Sequence, residues 1–185
     1  MTATALICSD LDRTLIYSRR FLDPQSGPAE CVETLDGEPI SFMTAAATNA
    51  LERLASQQVV VPATTRTVAQ YQRIALPGGP YRFAVTSNGG TILVDGQPDP
   101  VWSASVTAAV AAGGIALEEI LAALRARISD TWVRSVKTAE GLFCYLVVEE
   151  AAMPADFVST WQAWCAPQGW KVSRQGRKIY TVPRS

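Results

Sequence analysis

The sequence predicts an α/β protein with a Rossmann-like parallel core sheet, followed by a second lobe made of helix–strand–strand units. Two observations support this prediction. In the first half of the chain, short apolar runs typical of buried strands alternate with helical segments, which is the pattern of a parallel sheet. Beyond residue 100, a helix followed by two strands occurs twice in succession, which predicts an α+β (αββαββ) lobe.

Composition and charge exclude several classes of function. The 185 residues fit one domain, or a small domain with an inserted lobe. A net charge of −1 and the lack of a Lys/Arg cluster give no electrostatic support for binding nucleic acid or an anionic membrane. The sequence shows no signal-peptide pattern and no apolar stretch of membrane-spanning length, so we expect a cytoplasmic protein.

Histidine and cysteine usage narrows the chemistry. The chain has no histidine, which excludes Ser-His-Asp and Cys-His catalysis and disfavours a zinc site. The four cysteines are far apart and form no CxxC pair, so we expect four buried, reduced thiols. They are Cys8, Cys31, Cys144 and Cys165. Any catalysis must therefore use carboxylates, hydroxyls and Lys/Arg, with or without a hard metal ion.

The first elements can be placed from local signals. Residues 4–9 ("TALICS") predict a short, fully buried strand. Asp36-Gly37 between two β-prone runs predicts a hairpin, and Thr44 is a suitable N-cap for a helix over 45–57. The inward face of that helix is predicted to contain Ala46, Ala50, Leu51 and Leu54.

The remaining elements complete the two lobes. "QQVVVPA" predicts a second buried strand, "TTRTVAQYQRIA" a helix at its carboxyl end, and "YRFAVTSNGGTILVDG" a strand–turn–strand. The proline-bearing "DGQPDP" marks the domain boundary, with the core over 1–98 and the second lobe over 99–185. In that lobe, Trp161 and Trp164 lie three residues apart on one helix, which favours core packing over a sugar-stacking surface.

Two carboxylates mark the candidate site. Asp10 and Asp12 follow the first strand, at the edge where open α/β sheets bind ligands. Like charges this close repel unless a cation lies between them, and a hard ion that prefers oxygen ligands, such as Mg²⁺, would remove the repulsion. One Asp could then attack phosphorus while the other acts as general acid and base. The structural alternative is a solvated Asp-x-Asp turn.

These residues carry a family resemblance. "SDLDRTLIYS" resembles the first motif of the haloacid dehalogenase (HAD) superfamily of phosphatases, and "VVVPATTRT" resembles the second. "VTSNGGTIL" is similar to the Ser-Asn-Gly stretch of the sugar-phosphatase branch, and the αββαββ lobe has the cap topology of that branch. That branch includes Cof-like, sucrose-phosphate and mannosyl-3-phosphoglycerate phosphatases.

The resemblance assigns roles to residues. It implies that Asp10 is the nucleophile and a Mg²⁺ ligand, and that Asp12 is the general acid/base with its carbonyl also on Mg²⁺. Thr14 would brace the loop, and the Thr64 hydroxyl would hold a phosphoryl oxygen, helped by N–H groups at the following helix start. Arg66 would either reach the substrate or close a surface ion pair. The other phosphate- or substrate-binding positions are Thr65, where the family has glycine, Asn88 and Gly89.

The resemblance stops short of the whole family pattern. No third-motif Lys follows "YTVP", Lys178 precedes it, and no Gly-Asp-x-x-x-Asp fourth motif occurs. The expected fold is therefore a partial Rossmann-like core with an inserted αββαββ cap, the chain ending at the point of return to the core. Three explanations remain open: a shortened phosphatase, which we favour, a core completed by a second chain, or a stable but silent half-phosphatase. An uncovered sheet edge would also favour self-association.

The expected function is Mg²⁺-dependent hydrolysis of a small phosphate monoester, a phosphosugar above all, through an aspartyl-phosphate on Asp10. The expected partner is a small phosphorylated substrate, with no nucleic acid or membrane. Alternatives are a non-catalytic binding or regulatory protein, and a phosphotransferase or phosphomutase using the same Asp10.

Overall fold

The structure is a computed structural model that describes residues 5–184 and divides into two compact units. The first unit ends at Ser103 and the second begins at Ala104. The sequence placed this division slightly earlier, after residue 98. A helix, α3 (Pro100–Gly113), runs through the division, so the junction is helical and lies beyond the proline-bearing turn that predicted it.

The first unit contains the alternating strands and helices of the predicted core. Its elements are β1 (Leu6–Asp10), β2 (Ala29–Leu35), β3 (Glu38–Thr44), α1 (Ala45–Gln57), β4 (Val59–Ala63), α2 (Val68–Gln72), β5 (Phe83–Thr86), β6 (Thr91–Val94) and β7 (Gln97–Pro98). The hairpin at Asp36-Gly37 and the helix over 45–57 are confirmed. The Thr44 hydroxyl caps α1 by accepting the N–H of Ala47 at 3.3 Å.

The core sheet has the strand order β1-β4-β5-β6-β7. Strands β1, β4 and β5 are parallel, and β6 and β7 continue the sheet antiparallel. The predicted α/β class with a parallel, Rossmann-like sheet is therefore confirmed. In the register, Asp10 lies opposite Ala63, and Ala63 lies opposite Val85, so the carboxyl ends of these strands share one edge.

The expectation that the first strand is fully buried is wrong. Along β1 the side chains alternate between exposed and half-buried, and Leu6 is 67% exposed. The reason lies in the sheet order, because β1 is the outermost described strand and pairs only with β4. An apolar strand in that position is covered on fewer sides than the same sequence at the centre of a sheet.

The burial of the cysteines also differs between the two units. All four thiols are free, as expected, but Cys8 and Cys31 in the first unit are exposed, whereas Cys144 and Cys165 in the second are buried. Burial raises the pKa of the Cys144 thiol to about 11 and that of Cys165 to about 12. The prediction of four buried thiols is therefore wrong for the two in the first unit.

One apolar cluster holds α1 and the hairpin against the sheet. Its buried members are Leu11, Ile16, Val32, Met43, Leu51, Val60 and Leu76. On α1, Leu51 and Leu54 lie on the inward face as predicted, but Ala46 and Ala50 are exposed, and Ala47 packs against the cluster instead. The inward stripe is therefore rotated relative to the predicted one.

The second unit is a four-stranded antiparallel sheet with two helices, which confirms the αββαββ order. Its elements after α3 are α4 (Leu117–Arg125), β8 (Val133–Ala139), β9 (Phe143–Val148), α5 (Phe157–Cys165), β10 (Trp170–Gln175) and β11 (Lys178–Pro183). The strand order is β10-β11-β9-β8. Trp161 is 1% exposed and its indole Nε1 donates to Thr181 Oγ1 at 2.9 Å, which confirms a core position.

The alanine-rich stretch forms α3, which has no buried residue. It ends against the turn before β10, where backbones approach closely. A Cβ on Gly114 would lie 2.1 Å from the carbonyl oxygen of Gln168, so only glycine fits there. In the described chain no single helix is long and apolar enough to span a membrane, and the pair that passes on length and composition, α3 with α4, is bent by 57°.

Candidate active site

Asp10 and Asp12 flank a buried residue where β1 ends. Leu11 between them is fully buried, and its carbonyl accepts the backbone N–H groups of residues 14–16 at 2.9 to 3.2 Å. These bonds form one tight turn directly after the strand. Because Leu11 points into the core, both carboxylates are left exposed beside the turn.

Thr14 lies where the sequence placed it, next to Asp10. Its hydroxyl is 3.5 Å from Asp10 Oδ2, at the long limit of a hydrogen bond. The turn between them requires Arg13 to adopt a φ of +65°, and the Tyr17 hydroxyl donates to the Arg13 carbonyl at 2.9 Å. These contacts fix the loop that carries the two carboxylates.

Arg66 forms a bidentate ion pair with Asp12. Its Nε donates to Asp12 Oδ2 at 2.9 Å and its Nη2 to Oδ1 at 2.8 Å. Of the two roles that the sequence left open, the structure therefore shows an ion pair. The Arg66 side chain is only 15% exposed and that of Asp12 is 51% exposed, so the pair joins a largely buried side chain to a half-exposed one. Burial alone would lower the pKa of Arg66, but its hydrogen bonds to Asp12 and Glu33 raise that pKa above its ordinary value.

A third charged residue, Glu33 on β2, is one that sequence reasoning missed. Its side chain is completely buried. It accepts hydrogen bonds from the Ser41 hydroxyl at 2.6 Å and from Arg66 Nη1 at 2.7 Å, and it pairs with Arg73 at 3.0 Å. Burial would raise the pKa of Glu33, but these three donors together lower it below the usual value.

Glu33 is turned inward by an irregularity in the hairpin. The pairing of β2 with β3 shifts register on both sides of Glu33, so Val32 and Glu33, although adjacent, are both buried. An alternating strand would have placed one of the two in solvent. No signal in the sequence marks this bulge, which explains why Glu33 and its partners Ser41 and Arg73 were not foreseen.

Thr64 stands at the end of β4 with its side chain buried at 6% exposure. Its hydroxyl oxygen accepts the backbone N–H of Arg66 at 3.1 Å, and that bond does not use the hydroxyl hydrogen. Thr65 follows, half-buried, and its φ is not positive, so the glycine usual there in the family is not required.

The helix after this loop differs from the expectation. α2 spans five residues and begins only at Val68, and its N-terminus is closed by a capping box between Thr67 and Gln70. The expected phosphate contacts from N–H groups at this helix start are therefore not supported.

Asn88 and Gly89 lie in the turn after β5, beside Thr64. The Asn88 N–H donates to the Thr64 carbonyl at 3.2 Å, and Asn88 has a φ of +58°, a conformation that asparagine tolerates. The carbonyl of Gly89 accepts the indole N–H of Trp102 at 3.0 Å. The structure thus joins the second motif to this turn through the backbone.

The site offers few protein donor atoms for Mg²⁺. In the part of the chain that the structure describes, no three His, Cys, Asp or Glu side chains come together as a metal cluster. The Asp12 carboxylate is already bound by Arg66. The ligands that the resemblance implies for Mg²⁺ are the exposed Asp10 carboxylate and the backbone carbonyl of Asp12, and water would have to supply the others.

The fold of this chain is similar to that of several solved phosphatases. The chain is similar to the sucrose-phosphatase of Synechocystis sp. PCC6803, solved with sucrose and phosphate, at 13% identity and a TM-score of 0.59. That match covers 96% of this chain and 63% of the enzyme, so the chain spans less than two thirds of that protein.

Two further structures show the same fold. A trehalose-6-phosphate phosphatase related protein matches at 15% identity with a TM-score of 0.55, over 97% of this chain and 68% of its own. Protein 0175 of Thermoplasma acidophilum matches at 12% identity with a TM-score of 0.56, over 98% of this chain and 65% of its own. No family model matches the sequence. No curated protein matches it either.

Proposed function

We propose that this chain carries the nucleophile half of a phosphatase site and hydrolyses a small phosphate monoester. One observation supports this most strongly. Exposed Asp10 and Asp12 from β1, the Thr64 hydroxyl from β4 and the turn at Asn88 from β5 belong to the carboxyl ends of three parallel strands. A phosphosugar is the proposed substrate class, since the similar structures include a sucrose-phosphatase and a trehalose-6-phosphate phosphatase related protein.

The proposed reaction has two steps. In the first, an Asp10 carboxylate oxygen bonds to phosphorus, the bond from phosphorus to the sugar oxygen breaks, and that oxygen takes a proton from Asp12. In the second, Asp12 accepts a proton from water while the water oxygen bonds to phosphorus. The bond to Asp10 then breaks and inorganic phosphate leaves.

The other residues bind and orient. The Thr64 hydroxyl hydrogen would donate to a phosphoryl oxygen, and the loop turn braced by Thr14 would hold Asp10 in line with it. Bound Mg²⁺ would neutralise charge between Asp10 and the phosphoryl group. The proposed ligands from this chain are the Asp10 carboxylate and the Asp12 carbonyl.

Turnover of an aryl phosphate with Mg²⁺ tests this proposal, with wild type measured beside Asp10→Asn. We expect turnover in the wild type and none above background in Asp10→Asn, because an amide cannot form the aspartyl-phosphate. Glu149→Gln, an exposed position in the second unit, serves as the control and should keep wild-type turnover. Equal turnover in wild type and Asp10→Asn would reject Asp10 as the nucleophile.

A second candidate is a non-catalytic binding or regulatory protein. It is favoured by the absence of a three-residue metal cluster among residues 5–184. In either case the outer edge of β1, which no described strand covers, would accept a further strand, from a second copy or another polypeptide. Phosphate binding without turnover would support this second candidate.

A further inference from the structure

A network of four charged side chains leads from the β2–β3 hairpin to the candidate site. Arg73 pairs with Glu33, Glu33 pairs with Arg66, and Arg66 pairs with Asp12. The two carboxylates and two guanidiniums balance in formal charge. From the fully buried Glu33, side-chain exposure rises through Arg66 at 15% to Asp12 at 51%, and on the other side of Glu33 the Arg73 side chain is 35% exposed. The buried carboxylate of Glu33 therefore lies inside the network, between two arginines.

The guanidinium of Arg66 is held on two sides. Its Nε–Nη2 edge faces Asp12, and Nη1 faces Glu33. Its backbone is held as well, because its N–H donates to Thr64 Oγ1 at 3.1 Å and its carbonyl accepts the N–H of Ser87 at 2.7 Å. A planar fork fixed in this way presents Asp12 with donors of defined direction, which a lysine could not do.

Stability alone is a poor reason for such an arrangement. Burying a carboxylate has a large desolvation cost, and replacing a buried ion pair by apolar residues of similar size is often neutral or stabilising. The hairpin also shifts its register on both sides of Glu33 to turn that side chain inward. What the arrangement does achieve is a fixed position for an otherwise exposed carboxylate, which general acid/base chemistry requires.

We propose that Glu33 is a positioning residue for Asp12, acting through Arg66. Its buried carboxylate aims the guanidinium, and the guanidinium holds the Asp12 carboxylate in one orientation beside Asp10. The β2–β3 hairpin is thereby mechanically connected to the site, and a cation from this chain offsets the repulsion between the two aspartates. The proposal rests on the proposed function only in giving Asp12 an acid/base role.

NMR of arginine side chains tests the positioning directly. The Nε–H of Arg66 donates to Asp12, so in the wild type we expect a sharp ¹H–¹⁵N signal protected from exchange with water. Arg66→Lys assigns that signal by deleting it. In Glu33→Gln we expect the signal to broaden and lose its protection, whereas the control Glu149→Gln should leave it unchanged.

An unchanged Arg66 signal in folded Glu33→Gln would overturn the proposal. If circular dichroism shows that Glu33→Gln does not fold, Glu33→Asp decides, because it keeps the negative charge and shortens the side chain that contacts Arg66 Nη1. A weakened Arg66 signal in Glu33→Asp supports the proposal. A signal identical to that of the wild type overturns it.

Kinetics separates this inference from the proposed function. If the wild type turns over an aryl phosphate, Glu33→Gln should lower kcat about 10- to 100-fold and leave KM within about twofold, as loss of an orienting partner does elsewhere. A normal kcat in Glu33→Gln would overturn the positioning role and leave the phosphatase proposal intact. If the wild type equals Asp10→Asn, the phosphatase proposal fails, and the NMR result still decides whether Glu33 positions Asp12.

Discussion

The two sheets of this protein differ in how far their apolar strands are buried. In the second unit, five of the six side chains of β9 are buried, among them Cys144 and Leu146. In the first unit, β1 has a similarly apolar beginning, yet Leu6 is 67% exposed and Cys8 is exposed. β9 lies between two strands of its sheet, and β1 has a described neighbour on one side only.

The comparison shows that apolar content alone does not decide whether a strand is buried. It also shows where the chemistry is concentrated. The second unit has a continuous core around Trp161, whereas the first unit leaves its charged residues at the edge of a less covered sheet. Functional groups are commonly found in such less stable regions, because exposed carboxylates and strained turns add little to folding.

The largest expected effect comes from breaking the well-covered sheet. Trp161→Ala would open a cavity under β11 and remove the hydrogen bond to Thr181, so we expect a loss of about 3–5 kcal/mol in the free energy of unfolding. Four of the five tryptophans lie in the second unit, so tryptophan fluorescence during urea denaturation measures mainly the unfolding of that unit.

The matched variant in the first unit is Leu6→Ala. Because Leu6 is mostly exposed, we expect Leu6→Ala to lower the free energy of unfolding by less than about 0.5 kcal/mol. Circular dichroism during urea denaturation measures this loss. A loss comparable to that of Trp161→Ala would mean that β1 is covered in solution, and the contrast between the two sheets would not hold.

Local signals were sufficient for much of the fold. The hairpin at Asp36-Gly37 is confirmed, and its turn contains a glycine with positive φ, which is what made the turn recognisable. The turns at Glu140-Gly141 and Gln175-Gly176 in the second unit have the same feature. The start of α1 was likewise predicted by a cap at Thr44. These features depend on a few neighbouring residues, so the sequence contains them directly.

The candidate site was predictable only in part. Asp10, Asp12 and Thr64 follow apolar strands, and parallel strands bring such residues to one edge. Glu33 could not be found, because its inward direction depends on a bulge 33 residues away from its partner Arg66. The burial of β1 and the role of Arg66 depend on contacts between distant segments, which no local pattern records.

An effect of intermediate size is expected at Glu33 when the pH is lowered. The pKa of Glu33 is lowered in the folded protein, so its contribution to stability is present above the unfolded value of about 4.3 and is lost as pH falls through the folded value. We expect the free energy of unfolding of the wild type to fall below about pH 4.3 more steeply than that of Glu33→Gln, by at most about 1.4 kcal/mol per pH unit.

Urea denaturation of both proteins between about pH 6 and pH 3 measures this difference. The other carboxylates titrate in both proteins and cancel in the comparison. At neutral pH, Glu33→Gln should be less stable by up to about 3 kcal/mol, because two guanidiniums lose their buried partner. Parallel pH curves would show that folding does not lower the pKa of Glu33.

The smallest effect is expected at an ion pair of the second unit. Arg134 and Glu149 approach to 3.4 Å, but their side chains are 59% and 43% exposed, so water and salt screen their attraction. We expect Arg134→Gln to change the free energy of unfolding by less than about 0.5 kcal/mol, whereas Arg66→Gln leaves a buried Glu33 short of one partner and costs more. Urea denaturation at low and high salt measures both, and Arg134→Gln should also remove any salt dependence of its own pair. Equal losses in the free energy of unfolding for Arg134→Gln and Arg66→Gln would show that exposure does not rank the ion pairs of this protein. The network of Glu33, Arg66 and Asp12 would then hold its members no more firmly than an ordinary surface contact.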